Sequence, residues 1–194
     1  MNTRTFPSFT FSLLTLVLAL HALPGGMAAL NFGTSEIFNG QAWRLLTGHL
    51  VHADLNHLFW NALGLLVLGV LIERHSRRLL GIALVAGTMA VNLLLLVSGL
   101  DYYCGLSGVL NTLLVVALWL EWRSTRSWWV AAVAMGCLIK VAIEINTGNS
   151  LISHISWPPY AWSHLAGILG GVVVLLKEPL TLSGRETTLR YDFP

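Results

Sequence analysis

Apolar runs long enough to cross a bilayer dominate this chain, and they restrict it to folds that satisfy every backbone hydrogen bond without water. A spanning helix needs about 20 largely apolar residues, within a range of about 17–25. Six runs are candidates: 9–30, 58–72, 79–100, 106–122, 128–145 and 162–176. The second and sixth are short alone, and gain length by recruiting polar residues at their outer ends where those face protein or water. Pro24-Gly25-Gly26 weakens the first run, which is read as continuing past the break. Hydrophobic residues make up 55% of the chain and charged ones 10%; a soluble domain carries about 25% charged residues. The expectation is an all-α, polytopic membrane protein with six transmembrane helices.

Basic residues set the orientation. Arg4, then Arg74, Arg77 and Arg78 between spans two and three, Arg123 and Arg126 between four and five, and Lys177, Arg185 and Arg190 after span six fall on one side. Arg44 and Lys140 are the others. By the positive-inside rule both termini are cytoplasmic. The first run has a competing reading as a cleavable signal peptide, with Arg4, an apolar stretch and small residues at Ala28-Ala29; it too leaves the N-terminus in the cytoplasm. One domain over 1–194 is expected, with a core at about 43–177 and a cytoplasmic tail at 178–194. The long non-cytoplasmic link 31–56 mixes Trp43, Leu45, Leu46, Leu50 and Val51 with polar residues, a pattern of short interfacial helices. A net charge of +2 gives no case for nucleic acid.

Polar groups inside a membrane are costly and are functional candidates by default. Here they gather at the outer ends of spans two, four and six. His57 and Asn61 share one face of span two, as polar pairs that glue helices also do. His49, His52 and His57 lack the carboxylate or thiolate spacing of a metal site, so no metal or other cofactor is expected. Cys104 and Cys137 are too few for a disulfide framework. Ser107 stands in Gly105-Leu106-Ser107-Gly108, where a tight turn into a helix would expose its hydroxyl beside free backbone N–H groups. Val109 excludes the G-x-S-x-G elbow, and such small-residue runs in membrane helices also serve as packing sites. In span six, His164 lies near the close-packing face of Gly167 and Gly171. The predicted topology brings all three ends to the outer face. A serine nucleophile needs a base, and its oxyanion needs donors; the three segments supply a candidate for each. Lys140 and Glu144 are read as an i,i+4 pair that neutralises itself, and Asn92 as interhelical glue.

Taken in order, Trp43-Arg44, His52, His57-x-x-x-Asn61, Glu73, Gly105-Leu106-Ser107-Gly108 and His164-x-x-Gly167 resemble the rhomboid intramembrane serine proteases over 43–171. The short chain looks most like the rhombosortase branch. The resemblance implies a six-helix rhomboid bundle in which Ser107 is the nucleophile and His164 its general base, without a third acid. It implies an oxyanion hole from His57, Asn61 and the Ser107 N–H. Trp43-Arg44 would belong to a membrane-embedded first loop, and His52 would help hold that loop. Glu73 would tie inner helix ends together, and Gly167 would let the serine helix approach His164. Many rhomboids carry an aromatic residue four positions after the serine; here Asn111 stands there, and its amide is expected to hydrogen-bond His164 and set its tautomer.

The implied activity is cleavage of transmembrane segments of exported proteins near the outer membrane–water boundary, in a bacterial inner membrane. The rhombosortase likeness narrows the substrates to proteins with a C-terminal tag of Gly-Gly, transmembrane helix and basic end. Membrane lipid is the other partner. Two rivals are a catalytically inactive rhomboid-like protein that binds membrane clients, and a small transporter, for which only Lys140 and Glu144 offer charge within a span.

Overall fold

The computed structural model describes residues 6–151, 156–157 and 159–177. Arg4 and the expected cytoplasmic tail at 178–194 lie outside the described residues. The elements, in order, are α1 (Ser8–Ala22), α2 (Gly26–Leu30), β1 (Phe32–Gly33), α3 (Thr34–Phe38), α4 (Arg44–Thr47), α5 (Leu55–His75), α6 (Arg77–Val97), β2 (Tyr102–Tyr103), α7 (Ser107–Thr125), α8 (Trp128–Thr147) and α9 (Trp162–Lys177). Three of them, α5, α6 and α8, are long and apolar enough to cross a membrane, while α1 and α9 are shorter apolar helices.

Local chemistry sets the boundaries. The Asp54 carboxylate accepts the His57 N–H at 2.8 Å and caps α5, satisfying one of the donors a helix start leaves free. Ser76 is extended and serves two helices, closing α5 and accepting the Leu79 N–H with its hydroxyl to open α6. The first apolar run does not continue as one helix. Leu23 precedes Pro24, which disfavours helical backbone at that position, and Leu23 is extended with ψ 125°. The run therefore splits into α1 and α2, correcting the expectation of one span over 9–30.

α7 is the central helix and touches α5, α6, α8 and α9. Its Val109, Leu113 and Val116 are fully buried and share one core with Leu65 and Ile72 of α5, Ala83 of α6 and Val17 of α1. Outward faces are apolar too: Val85, Leu93 and Leu176 are 60%, 65% and 72% exposed, as suits helices solvated by lipid. At the opposite end from the α5 start, the Glu73 carboxylate accepts the N–H groups of Phe9 (2.9 Å) and Thr10 (2.7 Å), the Thr10 hydroxyl (2.8 Å) and Arg77 Nε (3.1 Å). One acid thus joins the start of α1 to the α5–α6 corner.

The link before α5 folds into short helices, as its mixed pattern suggests, and also into a strand, which an all-α reading did not include. β1 pairs antiparallel with β2, with Phe32 opposite Tyr103 and Gly33 opposite Tyr102. This pairing fastens the first loop to the segment leading into Ser107. Arg44 is buried and donates to Ala28 O, Asn31 O, Asn31 Oδ1 and Gln41 Oε1, whereas Trp43 is about half exposed. Asn92 binds this loop rather than another span: its amide donates to Leu45 O at 2.8 Å, and its Oδ1 lies 3.0 Å from His49 Nε2.

Candidate active site

The N-terminal ends of α5, α7 and α9 converge at one end of the bundle. His164 Nε2 lies 3.0 Å from Ser107 Oγ, across 57 residues of sequence. Two close approaches make this possible. A Cβ on Gly167 would overlap the Gly108 carbonyl oxygen, and one on Gly108 would come within 3.0 Å of Ser163 O. A side chain at either position would hold α7 and α9 apart. The Thr112 hydroxyl reinforces the contact by donating to Gly167 O at 2.6 Å. One turn further along α9, a Cβ on Gly171 would meet Val115 Cβ at 2.7 Å.

Ser107 opens α7, so its N–H has no partner within the helix. The turn before it depends on Gly105, whose φ of +112° suits glycine. A Cβ there would also stand 2.5 Å from His57 Cε1 and Nε2, so the His57 ring packs directly on the turn. The Asn61 amide donates to His57 O at 2.8 Å. His57, Asn61, Ser107, Asn111, Lys140 and His164 all line one cavity of about 450 Å³. His52 lies behind His57, their rings edge-on at 5.0 Å. Burial above all, then the neighbouring His57, lowers the His52 pKa to about 3.

Asn111 does not reach His164. Its amide donates to the Ser107 carbonyl at 2.9 Å, one turn back along its own helix, the local bond that such residues commonly make. The imidazole is held instead from α8, where Glu144 Oε2 lies 3.1 Å from His164 Nδ1. The expectation of a histidine without an acid partner is therefore corrected. The Lys140–Glu144 pair is present at 2.6 Å, but it does not exhaust the carboxylate. The sequence signal is an acid within an apolar run, which a lysine four residues away is enough to explain.

Other groups are unsuited to the chemistry. Cys104 adjoins the serine turn, and burial pushes its thiol up to about 12, leaving no thiolate to compete as nucleophile. Both cysteines are free. Among the described residues, no group of three or more His, Cys, Asp or Glu is arranged to hold a metal ion. Asp54 sits beside the cavity and accepts the Ser156 N–H at 2.6 Å and its hydroxyl at 2.8 Å. Burial opposes its ionisation, but these bonds and that from His57 N–H outweigh it and hold its pKa below the usual value.

Comparison with known proteins agrees with this architecture. Residues 39–178 match the Rhomboid domain. The chain is 30% identical over 181 residues to a protein named Rhomboid protease GluP, from Bacillus subtilis (strain 168). That alignment takes in 85% of this chain and 34% of the relative, so the chain spans about a third of that protein's length. With a family match over most of its length and apolar helices built for lipid, the chain belongs to the rhomboid family of integral membrane proteins.

Proposed function

We propose that this protein is an intramembrane serine protease that cleaves transmembrane segments of exported proteins near the outer membrane–water boundary. The observation that carries the reading is the 3.0 Å approach of His164 Nε2 to Ser107 Oγ within a cavity also lined by His57 and Asn61. His164 takes the hydroxyl proton as Ser107 attacks a substrate carbonyl, then passes it to the leaving amine. The oxyanion meets the Ser107 N–H, the Asn61 amide and the His57 ring. Water then releases the acyl-enzyme. Substrate helices with glycine near the cut unwind at lower cost, by roughly 1 kcal/mol per residue relative to alanine.

The finer assignment is to the rhombosortase branch, with removal of a C-terminal tag made of Gly-Gly, a transmembrane helix and a basic end. We further place the protein in a bacterial inner membrane with six spans, α1, α5, α6, α7, α8 and α9. Both termini are then cytoplasmic and the cavity opens to the periplasm, as the basic residues of the α5–α6 and α7–α8 corners favour.

The test is cleavage of a reporter carrying that tag, in proteoliposomes, by wild type and by Ser107→Ala at equal insertion. Cleavage by wild type alone supports the protease and the tag. Cleavage by both removes Ser107 from the mechanism. Retention of uncut reporter by both supports an inactive, client-binding rhomboid.

A further inference from the structure

Glu144 is the most constrained acid near the cavity. Its side chain is 1% exposed, and burying a carboxylate costs several kcal/mol unless donors satisfy it. Three donors do. Lys140 Nζ approaches Oε2 at 2.6 Å, the Leu151 N–H donates to Oε1 at 3.0 Å, and His164 Nδ1 faces Oε2 at 3.1 Å. An ion pair with Lys140 alone would require neither the burial nor the orientation toward α9.

The hydrogen-bond chemistry then selects one form of the histidine. An ionised carboxylate only accepts, so the proton between Glu144 and His164 resides on Nδ1. Neutral imidazole carries one N–H, which leaves the Nε2 lone pair facing the Ser107 hydroxyl. That tautomer alone can take the serine proton. As the proton arrives, positive charge develops on the ring 3.1 Å from a fixed negative charge, in a water-poor site where such an interaction is strong.

We infer that Glu144 is a positioning residue that completes a Ser107–His164–Glu144 relay, fixing the His164 tautomer and stabilising the imidazolium formed during attack. The inference rests on the protease reading above. The relay is assembled from α7, α9 and α8, and Lys140 offsets the cost of the buried charge. No proton passes to Glu144; it stays a carboxylate throughout, and the proton moves only from Ser107 Oγ to His164 Nε2 and on to the leaving amine.

Glu144→Gln is the discriminating variant. Both carboxylate oxygens receive donors, so an amide must turn its NH2 toward one of them. Turned toward His164, it donates to Nδ1 and forces the proton onto Nε2, the unproductive tautomer; turned toward the Leu151 N–H, it keeps the tautomer but loses the charge that stabilises the imidazolium. In a serine protease triad the equivalent change lowers kcat about 10⁴-fold. For Glu144→Gln we expect a fall in kcat of about 100-fold or more with KM within about threefold, and a parallel fall in fluorophosphonate labelling of Ser107. Glu144→Asp keeps the charge but draws it back by one methylene, so its kcat should fall less than that of Glu144→Gln.

A Glu144→Gln kcat within about tenfold of wild type overturns the relay while leaving the protease reading intact. Wild type that neither cleaves nor is labelled refutes the protease reading and the relay with it. A measurement on the unmutated protein guards against a misfolded variant: in the ¹⁵N spectrum of histidine-labelled protein at pH 8, the His164 signal, assigned by its loss in His164→Asn, should report a protonated Nδ1 and a bare Nε2. The opposite tautomer overturns the relay.

Discussion

Replacing Gly167 by alanine adds one methyl group where α7 and α9 touch. An ideal Cβ there overlaps the Gly108 carbonyl oxygen, lies 2.9 Å from the Gly108 carbonyl carbon and 3.2 Å from Asn111 Cβ. Backbone cannot swing aside as a side chain can, so the helices must part by on the order of 1 Å, a displacement that costs about 100-fold in rate when it misplaces reacting groups. Gly108 neighbours Ser107, and Gly167 lies one turn from His164, so the displacement falls on the 3.0 Å Oγ–Nε2 approach. The expected loss in kcat/KM is about 100-fold, or about 2.7 kcal/mol. The strained packing should also reduce stability by about 1–3 kcal/mol. The assay is reporter cleavage in proteoliposomes beside thermal unfolding in detergent. Gly136→Ala on α8 is the control, since a Cβ there meets nothing within 4 Å beyond its own stretch of helix; it should match wild type in cleavage and unfold no earlier. Wild-type cleavage and an unchanged unfolding midpoint in Gly167→Ala would refute the close-approach reasoning.

Glu73→Gln keeps the shape of the acid but turns an NH2 toward some of its four donors, two of which are N–H groups in the first turn of α1; a loss of about 2–3 kcal/mol is expected, read as a lower unfolding midpoint and faster proteolysis at the α1 start. Burial, opposed by the Asn92 bond, lowers His49 from 6.5 to about 4, so the unfolded chain binds the proton first. The stabilisation is complete above pH 6.5 and is lost as pH falls toward 4, by up to about 3 kcal/mol. The unfolding midpoint should drop over that window, less steeply in His49→Asn, and a flat wild-type profile would contradict the burial.

Much of this arrangement is legible in the residues because lipid makes polar groups conspicuous. Ser107, His164, His57 and Asn61 stand at the starts of apolar runs, and charge at the opposite corners aligns those starts at one end. What escapes is whatever depends on rotation or on short pairings. Glu144 is visible in the sequence as an acid, but only the turn of α8 about its axis decides whether it faces Lys140 alone or His164 as well. Asn111 shares a helix face with Ser107 yet is satisfied one turn back, and backbone competition of that kind leaves no trace in spacing. The two-residue pairing of β1 with β2 is too short to display a period. Pro24 did mark the end of α1; apolar residues on both sides disguised the break.

Of the residues of α8, Val130, Val141 and Glu144 are buried, and a second cavity, of about 340 Å³ and walled by apolar side chains apart from Asn111, separates part of it from α7. Of the three helices long enough to cross a membrane, the one that carries the histidine's acid partner is thus the least buried. Any outward lean of α8 that admits a bulky chain also withdraws Glu144 from His164 and loosens the hold on Leu151. Were substrates to enter that way, entry and bond-breaking would be separated in time: a visitor that slipped away before α8 settled back would leave uncut. Under the proposed protease activity, dwell time, as much as the residues flanking a scissile bond, would sort the chains that are cut from those merely met.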